Sequence, residues 1–85
     1  MPTISIFYGI LIKMYYDDHN PPHFHAFYGD YSAIYDFNGI KIDGNMPNKQ
    51  GKLIYTWAIM HKNELNANWN LAKNSEMLFF IDPLN

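Results

Sequence analysis

The hydrophobic pattern of this 85-residue chain changes its period once, at Met46-Pro47. Before that point, β-branched and aromatic residues occur in short runs separated by glycine-containing turns, which is typical of β-strands. After it, apolar residues recur at spacings of three and four, as in Leu53, Trp57 and Met60, which favours α-helix. Strands followed by helices predict an α+β fold, in which a small, mostly antiparallel sheet of three to five strands packs against one or two C-terminal helices.

Turn signals divide the first half of the chain into five predicted strands. Gly9 marks a bend, and Asn38-Gly39 is a residue pair that two-residue hairpin turns favour. The tail is apolar at residues 77–81 and predicts an additional edge strand. The five predicted strands cover residues 4–8, 10–16, 23–28, 31–37 and 40–42. The core face of the second is expected to carry Ile10, Ile12, Met14 and Tyr16.

The second half predicts one long helix or two shorter ones. The first helix is expected from about residue 48 to residue 61. The chain then either continues as a helix or turns at Lys62-Asn63 into a second helix that ends at residue 74, and Asn63 is a suitable N-cap for that helix. Trp57 and Trp69 lie on apolar stripes, so both are predicted to anchor the core.

The composition narrows the class of protein. Eighty-five residues predict a single domain over residues 1–85, and the aromatic share of 18 % supplies large side chains for its core. The chain has no cysteine, which excludes disulfides and thiolate ligands. All six cationic side chains are lysine and the net charge is −2, so a large cationic surface for binding nucleic acid is not expected. Contact with one or two nucleotides is compatible with this charge. Neither a membrane span nor a signal peptide is predicted, so we expect a cytoplasmic protein.

A histidine-rich stretch, residues 18–25, is the clearest candidate for a functional site. It contains three of the four histidines, and Pro21 and Pro22 stiffen the loop between His19 and the other two. Imidazole is suited to proton transfer near neutral pH and to metal binding. If residues 23–28 form a strand, His23 and His25 share one face, and His19 can fold back across the bend to the same point.

Three interpretations of this stretch remain open. In the first, a divalent metal is bound by His19, His23 and His25, while Asp17 or Asp18 is a fourth ligand or orients a ring. In the second, a neutral and a charged imidazole divide proton removal and proton donation between them during RNA cleavage. In the third, the histidines are structural and tie loop carbonyls or carboxylates through hydrogen bonds.

Residues outside the stretch are expected to contribute to the second interpretation. Lys13 is a candidate to stabilise the charge that develops on phosphate, and exposed tyrosines can stack on bases. His61 lies on an apolar helical stripe one turn after Trp57, which favours a structural role. In the alternative, functional interpretation, the helix brings the His61 side chain next to the loop histidines, where it acts together with them.

The same residues resemble a known family over the whole length of the chain. The most specific part is the stretch Asp18-His19-x-Pro21-Pro22-His23-Phe24-His25-Ala26, followed by Tyr28-Gly29. Weaker matches are the opening Met1-Pro2-Thr3-Ile4 with Phe7-Tyr8-Gly9-Ile10, the helical pattern Trp57-x-x-x-His61-x-x-Glu64-Leu65-x-x-Asn68-Trp69, and the closing Ile81-x-Pro83-Leu84. Together they resemble the bacterial domain-of-unknown-function family 4160.

The resemblance implies a small stand-alone bacterial protein that belongs to a toxin–antitoxin module. The expected function is RNA cleavage by histidine acid and base groups without a required cofactor; the alternatives are a divalent-metal-binding protein and a non-enzymatic partner-binding module. The expected partners are the small protein encoded by the neighbouring gene and RNA, with no membrane, and no oligomeric state is predicted. The catalytic candidates are Lys13, His19, His23 and His25. The supporting candidates are Asp18, Tyr28, His61 and Glu64.

Overall fold

A computed structural model describes residues 2–16 and 18–85 and confirms the α+β fold. Five antiparallel strands form one sheet in chain order, so each strand pairs with its neighbour in sequence, and two helices follow. The strands are β1 (Thr3–Phe7), β2 (Ile10–Lys13), β3 (His23–Tyr28), β4 (Tyr31–Asp36) and β5 (Lys41–Gly44). The helices are α1 (Asn48–Met60) and α2 (Lys62–Lys73).

The core lies between one face of the sheet and the two helices. Phe24 of β3 is fully buried, stacks on Tyr35 of β4 at a centroid distance of 5.8 Å, and meets Trp57 of α1 edge-on at 5.7 Å. Trp57 and Trp69 are 0 % and 5 % exposed, so the prediction that both anchor the core is confirmed. The opposite face of the sheet, the open face, carries the exposed Ile6 and Leu11 and also bears His23 and His25 of β3.

The turn between β1 and β2 follows the local signal in the sequence. Tyr8 and Gly9, which connect β1 to β2, both have positive φ angles, of 49° and 77°. This pair of angles is the signature of the two-residue hairpin turn, and glycine adopts it without steric cost. The bend predicted at Gly9 is therefore confirmed.

The second strand is shorter than predicted, and one residue of its expected core face is exposed. Ile10, Ile12 and Met14 are fully buried, but β2 ends at Lys13 and Tyr16 is 42 % exposed. The prediction for Tyr16 is wrong because the last pair between β2 and β3 is Lys13 with His25. Beyond that pair the chain leaves the sheet and enters the loop that holds Asp18.

The helical region divides into two helices at His61. The amide of Leu65 donates to the carbonyl of His61 at 2.9 Å, so helical hydrogen bonding resumes directly after this residue. Asn63 consequently lies inside α2, and its prediction as the N-cap is wrong, while Glu64 does lie in the first turn. Neither helix has the length and hydropathy that crossing a membrane requires.

The predicted strand at residues 77–81 is not formed. The amide of Phe79 donates to the side chain of Asn68 on α2 at 3.0 Å, and the carbonyl of Phe79 accepts from the same side chain at 2.9 Å. Because these two backbone groups are used by α2, they are not available to a neighbouring strand. The tail instead meets β1 at one point, where the Ile81 amide donates to the Ile4 carbonyl and the Ser5 hydroxyl donates to the Ile81 carbonyl.

Candidate functional site

The alternation of side chains along β3 places His23 and His25 on the open face of the sheet, as predicted. Phe24 and Ala26, which lie between and after them, are fully buried on the helix side. The two imidazole rings are 5.3 Å apart, and the indole of Trp69 packs 5.5 Å from His23. The strand therefore fixes both rings side by side, because β4 pairs with β3 along its whole length and β2 pairs with it from His25 onward.

The carboxylate of Asp18 joins the two histidines into one cluster. Its Oδ2 lies 2.8 Å from Nε2 of His23 and 3.5 Å from Nε2 of His25. One donor atom from each of these three residues lies within 4.8 Å of the others. Two imidazoles and a carboxylate that meet in this way form a donor set for a divalent transition metal.

A hydrogen bond to Pro21 determines which nitrogen of His23 carries the proton and which one turns a lone pair towards the cluster. Nδ1 of His23 lies 2.7 Å from the carbonyl oxygen of Pro21. A carbonyl oxygen only accepts, so Nδ1 carries the proton. In the neutral ring, Nε2 then presents its lone pair to the carboxylate of Asp18.

The Nε2 atom of His25 has no hydrogen-bond partner in the described part of the chain, although it is buried. Buried polar atoms without a partner are rare in folded proteins, and they often mark a site where another group binds. This atom faces the same carboxylate oxygen as His23 Nε2. The cluster therefore contains an unused ligand atom.

The electrostatics of the cluster keep Asp18 ionised and His25 neutral. Burial is the largest single influence on Asp18 and raises its pKa, but the electrostatic influence of His23 and the hydrogen bond from the His19 amide are among the effects that together lower the pKa below its ordinary value. Burial lowers the pKa of His25, and this effect outweighs the opposing influence of the nearby Asp18 carboxylate. An ionised carboxylate and a neutral imidazole are the protonation states that metal binding requires.

His19 does not join the cluster. Its side chain is 90 % exposed, with Nδ1 at 3.4 Å from Oδ1 of Asp18, the oxygen that faces away from the other two histidines. The backbone amide of His19 donates to the same oxygen at 3.1 Å. His19 thus helps to hold the carboxylate while its ring remains in solvent. Asp17, the other acidic residue considered as a ligand, lies outside the described residues.

The remaining predicted residues contribute no ligand atom to the cluster. Lys13 is opposite His25 in the sheet, but its ammonium lies over the ring of Phe27, 5.4 Å from the centroid. Tyr28 is at the far end of β3, about 17 Å from His23 along the strand. His61 and Glu64 bind each other, with Nδ1 at 3.0 Å from Oε2, and the His61 ring packs on Trp57.

Two features of the site were not predicted. The ring of Tyr15 meets His25 edge-on at a centroid distance of 4.4 Å, a contact that the shared face of Lys13 and Tyr15 could have indicated. A cavity of about 190 Å³ also opens beside the cluster, and its walls include Ile34 and Ile42. This cavity depends on the pairing of β3, β4 and β5, for which the histidine stretch itself carries no signal.

Fold and site together define a small α+β protein with a two-histidine, one-aspartate cluster on the open face of a five-stranded meander. The chain belongs to the DUF4160 family, a domain of unknown function whose family model matches residues 9–70. That match contains the whole histidine stretch and both helices up to Asn70. No curated protein and no solved structure matches the chain.

Proposed function

We propose that Asp18, His23 and His25 bind a divalent transition metal. The observation that carries this proposal is that two imidazole Nε2 atoms approach one carboxylate oxygen, while the Nε2 of His25 has no other partner. The proton on Nδ1 of His23 is directed at Pro21, so a neutral His23 turns a lone pair towards the Asp18 carboxylate. Two electron-rich atoms 2.8 Å apart repel each other unless a positive charge lies between them. A proton on His23 would satisfy one of the two contacts, whereas a metal ion satisfies both.

The size of the cluster supports the proposal. In a tetrahedral zinc site with ligands at about 2.0–2.2 Å, neighbouring ligand atoms are about 3.3–3.6 Å apart. The His25–Asp18 distance of 3.5 Å already has this value, and the His23–Asp18 distance of 2.8 Å needs to lengthen by roughly half an ångström. The carbonyl of Pro21 holds the outer nitrogen of His23, which is the usual arrangement for a metal-binding histidine.

Asp18, His23 and His25 would hold the metal, and the same three residues line the cavity. A metal held by three protein ligands would supply Lewis acidity and a water activated at neutral pH. We propose RNA as the substrate, in the cytoplasm. The support is the cationic and aromatic surface next to the cluster, where Lys13 and Tyr15 share the face of His25.

The test begins with metal binding by protein purified without an affinity tag and stripped with a chelator. Calorimetric titration with zinc, manganese, nickel and ferrous ions should give one bound ion per chain for at least one metal. His25→Ala should abolish this binding, and His19→Ala is the matched control because its ring is in solvent. Absence of saturable binding to the unmodified protein would exclude the metal centre.

A second candidate is metal-free acid–base cleavage of RNA, and one observation favours it. If His23 carries a proton on both nitrogens, its hydrogen bonds to Pro21 and Asp18 are both satisfied, and a charged and a neutral imidazole then lie side by side. RNA cleavage that continues in excess chelator and disappears in His25→Ala would select this mechanism. Cleavage that requires added metal would select the first.

For the biological role, we propose a toxin-like component of a two-gene module, with the protein encoded by the neighbouring gene as partner. The open face supports a protein partner because Ile6 and Leu11, which are paired across β1 and β2, are 50 % and 37 % exposed. Expression of the chain alone should inhibit growth, and co-expression of the neighbour should relieve the inhibition. If His25→Ala leaves growth inhibition unchanged, the protein acts by binding alone.

A further inference from the structure

A second concave site lies on the opposite side of the sheet from the metal cluster, where the first turn of α1 faces the β4–β5 hairpin. Its groove has a volume of about 570 Å³. The groove is lined by Lys41 of β5 and by Lys52 of α1, and no carboxylate lines it within the described residues. None of the residues of the Asp18 cluster takes part in it, so it is independent of the function proposed above.

The N-terminus of α1 leaves backbone donors unused at this groove. The residue before the helix is Pro47, which has no side-chain acceptor, and no acidic residue occurs in the first turn. The amide of Gly51 is the first to find a helical partner, the Pro47 carbonyl at 2.9 Å. The three preceding amides, of residues 48–50, have no helical partner, and Asn48 is the one of these residues that lines the groove. The unused amides and the positive end of the helix dipole are suited to an anion.

The side chain of Tyr35, which is buried except where its hydroxyl reaches the groove, is a second and independent observation that points to a ligand here. Tyr35 is only 3 % exposed, yet it lines the groove, and its hydroxyl makes no hydrogen bond with any residue that the structure describes. The hydroxyl oxygen lies 3.7 Å from the point that a Cβ on Gly51 would occupy, so it is aimed at the first turn of α1. Burial raises the pKa of Tyr35, which keeps the hydroxyl protonated as a donor.

From this arrangement we infer that the groove binds the phosphate group of a small molecule. The free amides of the first turn of α1, the hydroxyl of Tyr35 and the ammonium groups of Lys41 and Lys52 would all donate to its oxygens. Phosphate has enough acceptor sites for this convergent set of donors. The exposed ring of Tyr55, which also lines the groove, offers a surface for an aromatic group attached to the phosphate.

The inference is tested by NMR titration of the amide spectrum at constant ionic strength, with inorganic phosphate and, separately, with adenosine 5′-monophosphate and adenosine. Saturable shifts should appear at the amides of residues 48–50 with both phosphate compounds and not with adenosine. Tyr35→Phe should weaken binding by about 10- to 100-fold, because it removes one hydrogen bond to a charged group from a ring that stays stacked on Phe24.

A second variant keeps the test decisive if Tyr35→Phe does not fold. Asn48→Asp places a carboxylate at the first position of α1, where it should stabilise the helix and exclude phosphate. Asn70→Asp on the exposed side of α2 is the matched control and should bind like the unmodified chain. Tighter binding of the nucleotide than of phosphate would add Tyr55 to the site, and equal binding would limit the site to the phosphate group. Shifts that do not saturate, or that persist equally in Tyr35→Phe and Asn48→Asp, would overturn the inference.

Discussion

Replacing Asn68 with alanine should destabilise this protein more than any substitution of a comparable polar residue on α2. Asn68 is completely buried, and its amide group accepts from the Phe79 N–H and donates to the Phe79 carbonyl. The substitution leaves both backbone groups without a partner, at about 1–3 kcal/mol each. Because Phe79 is partly exposed and water can reach its backbone after the change, we expect a total loss of about 2–4 kcal/mol.

This loss is large for a chain of this size. At about 0.05–0.15 kcal/mol per residue, 85 residues correspond to a free energy of unfolding of roughly 4–13 kcal/mol. Urea denaturation followed by tryptophan fluorescence measures the change, and Asn66→Ala and Asn70→Ala, both at exposed positions of the same helix, are the controls. A loss below about 1 kcal/mol, or one equal to that of the controls, would refute the assigned role of the Asn68–Phe79 pair.

Three further predictions concern the proposed metal site at Asp18, a buried tyrosine and a glycine. Zinc at one hundred times its dissociation constant should stabilise the chelator-stripped protein by about 2.7 kcal/mol and raise Tm by roughly 10–20 °C. Differential scanning calorimetry should show this rise in His19→Ala and not in His25→Ala, and no rise in the unmodified chain would contradict the metal centre. Burial raises the folded-state pKa of Tyr35, so its contribution to stability is complete below the unfolded-state pKa of about 10 and is lost as pH rises above that value. The unfolding free energy of Tyr35→Phe should therefore decline less steeply than that of the unmodified chain between about pH 9 and pH 11. Parallel declines would contradict the burial of the Tyr35 ring. Gly44→Ala should lower the free energy of unfolding in urea more than Gly29→Ala does. Both glycines have positive φ, but a Cβ on Gly44 would lie 2.4 Å from the Ser32 carbonyl oxygen, whereas a Cβ on Gly29 would meet open space. Equal losses of unfolding free energy would contradict this.

The parts of the fold that were predicted from the sequence are those that depend on residues close together in the chain. The hairpin at Gly9 and the alternation of His23 and His25 on β3 follow from local backbone geometry, so short patterns were sufficient. The end of β2 was not predictable in this way, because Tyr16 has the composition of a strand residue. It is exposed because the loop that carries Asp18 leaves the sheet at that point, and this is a property of the tertiary structure.

The candidate site shows the same division between local and long-range information. Spacing correctly grouped His23 with His25, but it predicted His19 as the third member of the cluster and Asp17 or Asp18 only as a fourth ligand or as a group that orients a ring. Which of them turns inward depends on the path of the loop, and in the structure Asp18 points to the histidines while the His19 ring is in solvent. Asn68 had no distinguishing local signal either, because its function is to bind the backbone of a residue eleven positions away.

The three anchors of the C-terminal tail also protect the protein from association with itself. β1 is an edge strand, and the tail is attached beside it at Ile81. Asn68 on α2 and the indole of Trp57 hold the tail in place, and the indole donates to the Asp82 carbonyl at 2.8 Å. An uncovered edge strand offers its free backbone groups to other chains. A chain shortened before Phe79 would therefore expose β1 and become prone to intermolecular strand pairing and precipitation, even though all the histidines would remain in place.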